Sequence, residues 1–139
     1  VLFRSDKTGM ASYELPTITD TTLSNYSIVL SAPGDKVSFK FDVVNNGTID
    51  AILGFLSKGN PICVGTGDSA VEDANIVCNN LVYSLKYSDG VDVNNYDLLN
   101  RGVARTMVLT LSYPSDVTEL PTNEVTISGL DVSMIYNQN

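Results

Sequence analysis

The chain has 139 residues, 43% of them hydrophobic and 17% charged, with a net charge of −8. That length fits one domain with a substantial core. The acidic balance argues against nucleic acid and anionic lipid surfaces as partners, since both need clustered Lys and Arg, and no apolar run approaches the roughly 18–20 residues that span a bilayer.

Residues 1–11 carry no usable period and are expected to be a disordered leader or an artefact, with residues 12–139 forming a single domain. The first residue is Val rather than Met, which fits a fragment or a processed chain, so the lack of a signal peptide says nothing about compartment. Ser12 to Thr19 reads as a weak strand, and Tyr26, Ile28 and Leu30 mark a second. Ala32-Pro33-Gly34-Asp35 has Pro and Gly where a type II turn wants them. Val37, Phe39, Phe41 and Val43 then alternate with polar residues at the period of a strand with one face buried. Asn46-Gly47 predicts a two-residue hairpin turn, after which Ile49, Ala51, Leu53 and Phe55 resume the inward phase.

Gly59 to Asn80 is too long for a tight turn. Ser69-Ala70-Val71-Glu72 fits a capping box at the start of a two-turn helix, with Val71, Ala74 and Cys78 on one face. Such a helix is marginal alone and needs a tether. The two cysteines of the chain, Cys63 and Cys78, bracket the segment. A disulfide between them would close a loop of about 15 residues and stabilise it by roughly 3 kcal/mol; two buried free thiols are the alternative. The bridge, if formed, implies an oxidising compartment.

Leu81, Tyr83, Leu85 and Tyr87 make the next strand, which Ser88-Asp89-Gly90 turns into Val91 to Val93. Met107, Leu109, Leu111 and Tyr113 follow. Val125 and Ile127, then Leu130, Val132, Met134 and Tyr136, close the chain, with Gly129 as a bulge or bend. Seven to eight short strands between Gly, Pro, Asn and Asp turns predict an all-β antiparallel sandwich with a tethered loop carrying a short helix.

No histidine is present. That removes Ser-His-Asp and Cys-His nucleophile systems and the HExxH zinc site. Gly65-Thr66-Gly67-Asp68 lacks the Lys of a phosphate loop and reads as a turn. Asp89, Asp92, Asn94 and Asp97 cluster in SDGVDVNNYD and form a weak Ca²⁺ candidate. Their spacing misses the Gly and Glu of an EF-hand loop, and a hairpin rich in turn formers explains the same letters. No cofactor, catalytic residue or other metal site is indicated.

Pro33-Gly34-Asp35, then Phe39-Lys40-Phe41-Asp42-Val43-Val44-Asn45-Asn46-Gly47, then Asp50-Ala51, resemble the core pattern of the camelysin/TasA family of secreted bacterial surface and biofilm-matrix proteins. Tyr87-Ser88-Asp89-Gly90, the Leu99 to Met107 segment with Gly102, and the closing Val132 to Gln138 occur in that family's order. The resemblance runs from about Tyr26 to Gln138, and the segment between Cys63 and Cys78 departs from it. It implies a jelly-roll or Ig-like sandwich and fibre assembly by strand donation, in which an N-terminal segment completes the sheet of the next subunit. Met10 to Thr19 is the candidate donor, with Tyr13 and Leu15 as groove anchors. The other outcome is that this segment folds back as the first strand of its own sheet, or stays frayed. Some members are described as metalloproteases, a role this chain could support only with carboxylates.

These readings converge on an extracellular or cell-surface bacterial β-sandwich, not an enzyme, with a structural or assembly role. Its partners are expected to be further copies or other surface and matrix proteins. A glycan- or protein-binding adhesion module is the alternative, and a metalloprotease-like enzyme stands third.

Overall fold

A computed structural model describes residues 3–8, 12–13, 17–18, 22–24, 28–30 and 32–138. Its regular structure is mostly antiparallel β-sheet, in three sheets with one helix among the described residues. The first sheet has the order β1 (Phe3–Thr8), β6 (Lys36–Val44), β11 (Ala104–Ser112), β9 (Val82–Tyr87). The second comprises β10 (Leu98–Leu99), β7 (Ala51–Lys58), β13 (Val132–Gln138), β4 (Thr22–Ser24) and β3 (Thr17–Ile18). The third comprises β2 (Ser12–Tyr13), β5 (Ile28–Leu30), β12 (Val125–Ser128) and β8 (Ile62–Val64).

The described residues form thirteen strand segments where seven or eight were expected, in part because two long strands are broken. β7 runs on into β8, and β12 into β13, each across three residues. β7 pairs with β13 (Lys58 opposite Val132) and β8 with β12 (Ile62 opposite Ser128), so the two breaks face each other. The second and third sheets are therefore continuous through this doubly broken ladder. Gly129, at φ +74°, makes the bend its sequence position predicted.

Inward side chains of all three sheets meet in one core. Phe39, Leu109 and Leu85 come from the first sheet, Leu53 and Val132 from the second, and Ile127 from the third. The type II turn is made: Gly34 sits at φ +90° and Asp35 N donates to Ala32 O at 3.1 Å. The turn at Ser88-Asp89-Gly90 is made as well, with Lys86 bridging to Asp92.

The predicted hairpin at Asn46-Gly47 is not. β6 and β7 lie in different sheets, and residues 45–50 cross between them. A type I′ turn needs positive φ at both central residues, and neither Asn46 nor Gly47 adopts it. Asn45 organises the crossing instead. Its side-chain Oδ1 accepts Gly47 N at 2.9 Å, closing an Asx turn. Its Nδ2 donates to Ile49 O and Leu99 O, both at 3.0 Å.

Two further expectations fail locally. Residues 1–11 are not all leader, because Phe3–Thr8 pairs along β6 from Phe41 to Lys36. The inward phase of β7 holds at Ala51 and Leu53 but not at Phe55, which is 53% exposed. Gly54 is an extra residue in β7: Tyr136 faces Leu53, while the preceding Ile135 faces Phe55. A bulge shifts the phase by one, so Phe55 and Ile135 face outward as a pair and Leu56 turns in opposite Met134.

Candidate functional site

Helix α1 (Ala70–Asn80) lies in the long excursion, and Cys63 in β8 is joined to Cys78 near its last turn by a disulfide, with Cα atoms 6.1 Å apart. The helix has three turns rather than two. Its buried face is Asp73 and Val77, not the expected Val71 face; Val71 is 77% exposed. Ser69 stands at the N-cap but makes no side-chain capping bond, so the predicted capping box is not formed. The rotation follows from Asp73. Its carboxylate, 1% exposed, accepts Thr122 N at 2.8 Å and Asn123 N at 3.0 Å, which ties the loop before β12 to the helix. Charge-assisted bonds of this kind supply what a buried carboxylate requires.

Between the exposed side of α1 and that loop runs an open groove of about 830 Å³. Asp68, Glu72 and Glu119 line it together with Val71, Ile76 and Leu120. Both walls are braced. The disulfide and Val77 fix the helix, and Tyr113, fully buried, donates its hydroxyl to Glu119 O at 2.6 Å.

The weak calcium candidate is dispersed among local tasks. Asp89 accepts Val91 N at 3.0 Å within its own turn, and Asp92 lies 3.9 Å from Lys86 Nζ. Asp97 points the other way: its Oδ2 accepts Asn94 N at 2.8 Å and the Tyr87 hydroxyl at 2.6 Å. Asn94 spends its side-chain amide on Asp92 O. Among the described residues no three acidic or cysteine side chains gather as a metal site.

What Asp97 does join is a cluster the sequence did not suggest. The Arg105 guanidinium stacks 3.5 Å from the centre of the Tyr87 ring. Burial, reinforced by the Asp97 hydrogen bond, pushes the Tyr87 phenol well above the ordinary range. Burial also pushes Tyr136 up to about 12, with Asp97 adding to the rise and Arg105 opposing it. Phenols raised this far stay protonated at neutral pH, and the Tyr87 hydroxyl spends its proton on Asp97. The neighbouring loop holds Tyr96 at φ +75°, with its ring 82% exposed. Tyr96 N donates to Leu53 O at 2.7 Å and Leu53 N to Asp97 O at 2.9 Å, which fixes that strained backbone.

The candidate donor segment pairs within its own chain. Ser12 and Tyr13 lie opposite Val29 and Ile28, and Thr17 and Ile18 opposite Ser24 and Leu23. Leu15 and the side chain of Tyr13 lie outside the described residues. Among the described residues β2 and β3 are the outermost strands of their sheets, paired with β5 and β4 respectively. No described helix is long and apolar enough to cross a membrane. Comparison of the chain with protein-family models, curated proteins and solved structures finds no match.

Proposed function

We propose that this protein is an extracellular, non-catalytic bacterial surface or matrix protein of the camelysin/TasA type. On this reading the sheets form a two-layer jelly-roll-like sandwich, and the protein acts in structure by strand exchange between copies. The observation that carries the reading is the position of β2 and β3, each the outermost described strand of its sheet and each paired with a single neighbour. An outermost strand leaves its sheet without breaking pairs on a second side. The same segment of a neighbouring copy offers the same backbone hydrogen bonds and side-chain alternation, and a head-to-tail exchange that does not close gives a filament. The disulfide supports an oxidising location.

The test is filament formation by electron microscopy and sedimentation across protein concentration. Filaments should appear with concentration, vanish when residues 10–19 are deleted, and be suppressed by excess synthetic MASYELPTIT peptide. A chain that stays monomeric throughout and retains a glycan contradicts assembly in favour of an adhesion module.

A further inference from the structure

The groove beside α1 is built from segments that carry acidic side chains and no basic ones. No Lys or Arg occurs from residue 59 to residue 85, or from residue 106 to the last residue. The segments that build the groove therefore carry carboxylates alone. Glu72 has a local reason to be acidic, since it lies in the first turn of α1 where the helix dipole favours a negative charge. Asp68, one residue before the N-cap, shares that field, whereas Glu119, on the opposite wall, does not. Between these charges Val71 and Leu120 (56% exposed) hold aliphatic surface in water.

We propose that this groove docks a cationic, partly aliphatic peptide segment of a partner protein. Lysine or arginine side chains would meet Asp68, Glu72 and Glu119, and an aliphatic side chain between them would cover Val71 and Leu120. The acceptor needs little rearrangement. The disulfide anchors one wall, while Asp73, Tyr113 and the Asn123 amide on Thr66 O (3.4 Å) anchor the other. This inference stands apart from strand exchange, because it concerns the monomer and a different face.

The test is a chemical-shift titration of the ¹⁵N-labelled full chain, below its assembly concentration, with an octapeptide alternating lysine and leucine. Shifts should be confined to residues 68–79 and 119–120 and should weaken at high salt. The exposed double variant Glu72→Gln/Glu119→Gln should keep its spectrum elsewhere and bind about threefold to tenfold more weakly, as two exposed ion pairs warrant. Leu120→Ala should weaken binding about threefold. Three results would overturn the proposal: equal binding of a glutamate–leucine peptide, unchanged affinity of the double variant, or shifts at the same residues on raising protein concentration alone, which would make the occupant a second copy.

Discussion

Gly59 and Gly129 meet at the break in the long ladder: the space a Gly59 side chain would fill is taken by the carbonyl oxygen of Gly129. Gly59 N donates to Asp131 O at 2.7 Å across the same break. Gly129 itself needs its positive φ, and a Cβ there would also lie 2.8 Å from Asn60 O. Gly59→Ala should therefore cost about 1–3 kcal/mol through backbone displacement. Gly129→Ala should cost a similar amount, about 1–3 kcal/mol, through strain. Urea unfolding checks both: an unchanged stability in Gly59→Ala would mean that the two glycines are not in contact, and in Gly129→Ala that position 129 does not need its positive φ.

Asn45→Ala should be among the more damaging polar substitutions. It removes the acceptor for Gly47 N and the donor to Ile49 O, and it strands the buried carbonyl of Leu99. The expected loss is about 2–4 kcal/mol. Asn45→Asp should be no better, because it replaces both donors with a charge facing carbonyl oxygens. Asn46→Ala, at an exposed residue with no turn role, should be close to neutral. Equal sensitivity at positions 45 and 46 would restore the hairpin reading.

Reduction of Cys63–Cys78 should lower stability by about 2–4 kcal/mol. Amides of α1 should then exchange faster before those of β6 and β11 do, because the helix is tied to the sheets through that bond and the Asp73 loop contacts. Hydrogen exchange followed by mass spectrometry separates this from uniform loosening, which would count against a local tether.

The Tyr87 and Tyr136 phenols ionise above the ordinary value of about 10. Between pH 10 and about 12 the unfolded chain releases phenolic protons that the folded chain keeps. Stability is therefore intact below that window and falls as pH rises through it. Ultraviolet phenolate titration should show ionisation accompanying unfolding, and Asp97→Asn should bring both transitions to lower pH. Unchanged transitions in that variant would detach Asp97 from the cluster.

The periodic parts of this fold were legible in the sequence. Val37, Phe39 and Phe41, and Met107, Leu109 and Leu111, are buried as their alternation requires. Gly34, Gly90 and Gly129 take the positive φ their turns and bend demand. What period two cannot see is which sheet a strand joins. Asn46-Gly47 promised a hairpin, yet Asn45, a polar residue on the inward phase of β6, was the better clue that the chain departs from the sheet there. A single inserted Gly54 reversed the phase of Phe55 without altering composition. In the acidic loop the letters gave four oxygen-bearing side chains, but the turn at Gly90 sends Asp92 toward Lys86 and Asp97 toward Tyr87. The Tyr87–Asp97–Arg105 cluster joins residues from three parts of the chain, so no local spacing announces it. The N-terminal segment was missed for a related reason: Phe3–Thr8 has no amphipathic period, and its pairing with β6 is a property of the sheet edge it covers.

The account stands or falls on whether subunits exchange their N-terminal strands. Tyr13 lies opposite Ile28, so a mixture of Tyr13→Cys and Ile28→Cys chains, oxidised above and below the assembly concentration, reads the exchange directly. The account predicts disulfide-linked pairs of the two variants in assembled material and none at high dilution. Crosslinking confined to single chains carrying both substitutions, at every concentration, would contradict it.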